Sequence, residues 1–199
     1  MDLRIKKTYR ALITSFIQLL EVHRYEDVTV AMLCDAAMIR RTTFYKHFAD
    51  KSAFFAFFID SLRDELLKQG EQRSDVEATA ADEMEAVRMF DQRGRAILQE
   101  LVEFMLEHER LVDNIFESSM SGIMMLMMID KVAETLRIQY RKALVERWGS
   151  GGALDAVTEF AAGGVVRLLE KWWMTGHSKE GEEQLVILAT GMVARVLDL

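Results

Sequence analysis

Arg41, Thr42, Tyr45 and Lys46 stand at i, i+1, i+4 and i+5, a spacing that puts all four on one face of a helix. A guanidinium, two hydroxyls and an ammonium on one face suit the recognition of phosphate oxygens and base edges, not bond-making. The residue sets that bond-making would need are missing. No nucleophile stands beside a base, no acid and base are paired, and no glycine-rich loop could cradle a phosphate, so an enzyme is not expected. His23, His108 and His177 are far apart, and no His or Cys pair has metal-ligand spacing, so neither a metal nor a cofactor is expected. Cys34 is the single cysteine, which excludes an intramolecular disulfide, fits a reducing cytoplasm and reads as core packing.

The charge distribution agrees with a local recognition surface. The whole chain carries a net charge of -7, which argues against nucleic acid covering all of it. Residues 1–52, however, hold nine Lys and Arg against six Asp and Glu, a net +3, which leaves -10 for the rest. A basic head on an acidic body is expected. The longest purely apolar runs, Ala53 to Ile59 and Ile123 to Ile129, have seven residues each, against roughly 20 for a membrane span. No membrane association is expected, and the cytoplasm is the expected location.

The elements that must position the polar face are legible from periodicity. Tyr9, Leu12, Ile13, Phe16, Leu19 and Leu20 recur three and four apart between Ile5 and Leu20, predicting a first helix with Lys6, Lys7 and Arg10 near its start. That cluster is either a solvated face or a phosphate contact. Thr29 is a suitable N-cap for a second helix over about 30–37. Phe44 and Phe48 suggest a third over about 41–47. Asp50 looks like the cap of a fourth that runs through Phe54, Phe57, Phe58, Leu62 and Leu66 to about Gln69.

Two short helices joined by a tight turn and flanked by longer ones have the geometry of a helix-turn-helix, whose second helix enters the major groove. Lys51, a cation in the first turn of the fourth helix, opposes the macrodipole, and a docked phosphate would reverse that cost.

The chain has no proline, and helix is the default for the remainder as well. Gly70 to Glu83 is polar and lacks an apolar stripe, so it is expected to be a linker or frayed helix and the domain boundary. Helices are expected over about 92–107, 109–117, 122–148, 153–175 and 181–197. Met120 to Met128 contains five methionines, and Ile123 to Ile129 should be buried on all sides. Met124, Met127, Met128, Phe104, Phe116 and Trp172 are either plain core or the lining of a pocket for a mostly apolar ligand. The last two helices hold more apolar face than one small body needs, and Gly163 and Gly164 suggest a close helix approach there or a local kink.

Thr29-Val30, followed by the run Arg41-Thr42-Thr43-Phe44-Tyr45-Lys46-His47-Phe48-Ala49-Asp50-Lys51, resembles the signature of the TetR family of transcriptional regulators. The resemblance covers about 50 residues. It implies an all-α fold with an N-terminal three-helix DNA-binding head over 1–52 and a connecting helix to about 69. A helical body over 70–199 would bind a small effector and form an Ω-shaped homodimer through its last two helices, with Phe160, Gly164, Leu168, Leu188 and Met192 at the interface. It further implies phosphate contacts from Thr29 and Lys51 and backbone contacts from Tyr45 and His47. Arg41, Thr42, Thr43 and Lys46 would face bases or nearby phosphates.

The sequence departs from the family pattern at Met38-Ile39-Arg40, where Gly-Val-Ser is usual. Met38 must then tolerate whatever backbone the turn demands, at real cost if φ is positive, and Arg40 trades a capping hydroxyl for a charge that can reach phosphate. The expected function is a sequence-specific repressor of a double-stranded operator, released by an effector. The alternative is a TetR-like scaffold that acts through a protein partner, with weak DNA binding.

Overall fold

The computed structural model describes residues 3–77, 85–177 and 179–198. These form an all-α fold: α1 Leu3–Leu20, α2 Val30–Ala36, α3 Arg41–Tyr45, α4 Lys51–Glu77, α5 Glu85–Glu107, α6 Glu109–Phe116, α7 Ser121–Gln139, α8 Arg141–Trp148, α9 Gly152–Met174 and α10 Lys179–Leu197. They divide into two compact units, one of residues 1–62 with 105–124, the other of 63–104 with 125–199. The expected boundary at residue 70 does not follow this division, because 105–124 groups with the head.

The first unit is organised by aromatic rings. Leu12, Phe16 and Leu20 form the buried stripe of α1, and Phe16 meets Phe54 and Phe58 edge-on, each at 5.2 Å between centroids. Both expected caps are present. The Thr29 hydroxyl accepts the Met32 N–H at 3.2 Å, and Asp50 Oδ1 accepts the Ala53 N–H at 2.8 Å. Cys34 is fully buried, and desolvation pushes its thiol up, against the pull of Arg41.

Residues 105–124 join this unit through polar contacts. His108 Nδ1 lies 2.8 Å from Glu21 Oε1, Arg24 pairs with Glu117 at 2.8 Å, and Asn114 donates to the Leu20 carbonyl at 2.8 Å. Glu26 accepts the Ser119 N–H at 3.0 Å. The Ser118 hydroxyl and then that amide hold its carboxyl down at about 2, so their contribution to stability is present above the ordinary carboxylate range and fades as pH falls towards 2.

In the second unit, Ala133, Leu136, Leu144, Leu154, Ala161, Ala162 and Leu197 form a buried cluster, with Tyr140, Val157 and Val193 packed against it. Burial pushes the Tyr140 phenol up to about 12. Arg137 reaches from α7 to Asp155 and to the buried Thr158 hydroxyl on α9, and Trp148 Nε1 donates to the Leu197 carbonyl at 2.9 Å.

Three expectations are corrected. The fourth helix, expected to end at about Gln69, continues to Glu77, so the stretch from Gly70 begins as helix, one of its two expected forms, and residues 78–84 lie outside the described residues. The expected helix over 122–148 is two helices, parted at Tyr140, whose backbone is non-helical (φ -115°, ψ 19°). No glycine or proline marks that break. Ile123 to Ile129 is not buried on all sides: Met124 is buried, but Ile123 is 54% and Leu126 64% exposed, because apolar content does not prevent one side of a helix from facing solvent.

Gly70 is a packing residue within α4. A Cβ there would stand 2.7 Å from Ile97 Cγ1 and 3.1 Å from the Ile97 backbone nitrogen, so α4 and α5 approach closely at this point. Gly70→Val is expected to cost about 1–3 kcal/mol through overpacking, read as a fall in the urea midpoint of unfolding.

Candidate nucleic-acid interface

The short α2 ends in a paired hydrogen-bond closure. The Ile39 N–H donates to the Cys34 carbonyl at 2.9 Å and the Met38 N–H to the Asp35 carbonyl at 3.2 Å, the Schellman arrangement that turns the chain sharply and satisfies helix-end carbonyls. The closure needs a left-handed residue, and Met38 supplies it at φ +53° with its side chain 91% exposed. Arg40 then enters α3 extended (φ -75°, ψ 143°) with no side-chain cap.

On α3 and its C-terminal turn, Phe44 is buried, while Arg41, Thr42, Tyr45 and Lys46 are exposed and Thr43 and His47 are half-buried. Arg40 is exposed as well. Arg40, Arg41, Thr42, Tyr45 and Lys46 are therefore all accessible on one short segment. Phe44 lies 5.4 Å from the Phe48 ring and 5.9 Å from Phe54, so the buried side of this short segment is tied to α4. Thr29 is exposed at the start of α2 and also caps it, which leaves its hydroxyl hydrogen available to a phosphate. Lys6, Lys7 and Arg10 are exposed on α1.

Lys51 departs from expectation. Its ammonium donates to the carbonyls of Tyr25 at 2.6 Å, Val28 at 2.7 Å and Glu26 at 3.3 Å, and it lies 4.3 Å from the centroid of the Tyr25 ring. An ammonium has three donors, and these carbonyls take all three. The group clamps the α1–α2 loop instead of facing outward to a phosphate. Burial lowers its pKa, against Glu26 and Asp27.

Sequence reasoning missed a second contact, between α1 and the end of the polar segment. The Tyr9 hydroxyl stands 3.2 Å from His47 Nδ1, and the two rings meet edge-on at 5.3 Å. These residues are 38 apart in the chain, and the periodicity of α1 marks Tyr9 only as apolar.

The residues expected to line a pocket divide between the units. Phe116 and Met124 fall in the first, and Phe104, Met127, Met128 and Trp172 in the second. Met124 is buried and the other five are half-buried. Among the residues expected at a dimer interface, Phe160 is 73% exposed, Gly164, Leu188 and Met192 are exposed, and Leu168 is half-buried. A Cβ on Gly163 or Gly164 would meet nothing within 4 Å, so no close approach among the described residues explains either glycine. Among the described residues, no cluster of His, Cys, Asp and Glu could hold a metal, and no helix is long and apolar enough to cross a membrane.

An all-α chain with a helix-turn-helix near its N-terminus has known structural counterparts. The fold is shared with a candidate transcriptional regulator of Pseudomonas aeruginosa (16% identity, TM-score 0.51, 100% of this chain and 93% of that one). It is shared also with the fatty acid degradation regulator FadR of Bacillus halodurans (13% identity, TM-score 0.53, 95% of this chain and 97% of that one). AlkX of a Dietzia species, a TetR family repressor implicated in biodegradation of n-alkanes, aligns at 16% identity with a TM-score of 0.48, over 94% of this chain and 96% of that one. No family model matches the chain, and no curated protein matches its sequence.

A methionine in the left-handed region costs roughly 1–3 kcal/mol, which glycine avoids at a smaller entropic penalty. Met38→Gly is therefore expected to stabilise the protein by about 1 kcal/mol, visible as a higher midpoint in chemical denaturation.

Proposed function

We propose that this protein is a sequence-specific DNA-binding transcriptional regulator whose α3 reads the major groove. The observation that carries the reading is the row of exposed donors, Arg40, Arg41, Thr42, Tyr45 and Lys46, on a segment whose opposite side is anchored by the buried Phe44. Side chains so placed have the chemistry to meet bases and phosphates, and the preceding α2 is placed to brace the recognition helix. The fold shared with transcriptional regulators supports the same reading.

The working form is a homodimer paired through α9 and α10, supported by the exposed Phe160, Ile187, Leu188 and Met192 and by the open surface at Gly164. Such a dimer matches two half-sites one helical turn apart, about 34–36 Å. Repression would then be relieved by a mostly apolar effector that binds the body and favours the conformation with lower operator affinity.

Selection from random duplex DNA, followed by sequencing, is expected to enrich a palindromic site. Tyr45→Ala and Arg41→Ala should each weaken binding to it by about 1–3 kcal/mol. Enrichment of no site at low salt would sink operator binding. In sedimentation experiments the protein is expected to run as a dimer, and Phe160→Glu as a monomer with its helical content intact. An unchanged dimer in that variant would exclude this face as the interface.

A further inference from the structure

We propose that Tyr9 is a positioning residue that sets the proton of His47 so that the histidine can donate to a DNA phosphate. The inference rests on the DNA-binding reading and names a residue of α1 that acts through the polar segment. The Tyr9 hydroxyl lies 3.2 Å from Nδ1 of His47, and a phenol is a good donor whereas neutral imidazole offers one acceptor nitrogen. When Nδ1 accepts that hydrogen, the ring proton resides on Nε2, since the bond made by one ring nitrogen decides the state of the other.

Ring geometry then directs the Nε2 hydrogen away from Tyr9. Nε2 has no partner among the described residues, and His47 is half-buried and follows the exposed Tyr45 and Lys46 in the chain. A neutral imidazole with an outward N–H is a donor suited to a phosphate oxygen.

Tyr9 is itself held in place. Its ring packs on Phe57 at 4.7 Å and Phe48 at 5.6 Å and meets His47 edge-on. This aromatic seat fixes the hydroxyl, so Tyr9→Phe removes the donor and leaves the packing.

The test joins two readouts. Imidazole nitrogen NMR shifts, read on the neutral form of the ring, should report the Nε2–H tautomer of His47 in the wild type and a mixture of tautomers in Tyr9→Phe. Binding to the selected duplex should weaken about five- to tenfold in Tyr9→Phe, and the same substitution should have no effect in a His47→Ala background. Equal weakening in both backgrounds would assign Tyr9 to packing and overturn the proposal, as would an Nδ1–H tautomer in the wild type. If the wild type binds no duplex, the DNA reading fails and the phosphate contact with it. That failure is distinct, because the tautomer is measured without DNA.

Discussion

Everything that α3 and the turn after it present depends on the burial of Phe44. A helix of five residues cannot sustain itself in water, where nucleation is costly and isolated helices need roughly 12–15 residues to be even marginal. α3 is therefore helical because one side chain is pinned. Phe44 is fully buried against Phe48 and Phe54, and Phe54 packs in turn on Phe16 of α1. Burying a ring of that size contributes on the order of 2–3 kcal/mol, comparable with what a single turn lacks. Arg41, Thr42, Tyr45 and Lys46 owe their common orientation to this anchor, because they occupy the positions that Phe44 does not turn inward.

The turn before α3 shows the same economy under a different constraint. A Schellman closure requires a left-handed residue, and an unbranched side chain pointing into solvent is among the less costly non-glycine occupants. Met38 meets the requirement by being almost fully exposed. Arg40 enters α3 without a side-chain cap, so Met38 and Arg40, two of the three residues that depart from the usual helix-turn-helix turn, each give up local stability. The aromatic anchor offsets that loss, and the turn keeps its geometry although its sequence is unusual.

Patterns with a short period were legible in the sequence, and relationships between distant residues were not. The α1 stripe, the Thr29 and Asp50 caps and the buried Phe44 with its exposed neighbours follow from spacings of one to four residues, which map directly onto a helix face. The break at Tyr140 carries no glycine or proline. The continuation of α4 through Gly70 comes from packing against Ile97, which no local composition encodes. Lys51 shows the limit most clearly. Its position at a helix start was visible, and the need for compensation followed from the macrodipole, but whether an external anion or internal carbonyls would supply it depended on a loop 23 to 26 residues earlier.

That loop explains why the head extends beyond the first four helices. A helix end leaves carbonyls without partners, and an irregular connection adds more, so each needs a donor from elsewhere or from water. After α1, Ile17 and Leu19 are satisfied locally, by amides of Glu21, Val22 and His23. The Leu20 carbonyl takes its donor from Asn114 on α6, and those of Tyr25, Glu26 and Val28 take theirs from Lys51 on α4. No glycine or capping residue closes α1 in the sequence; Asn114 takes the carbonyl of its last residue, and Lys51 takes those of the loop that follows. The accompanying pair between Arg24 and Glu117 is about half exposed on both sides and adds little by itself. The Leu20 carbonyl taken by Asn114 and the buried Leu111, Val112 and Ile115 of α6 are the stronger reasons that residues 105–124 belong to the first unit.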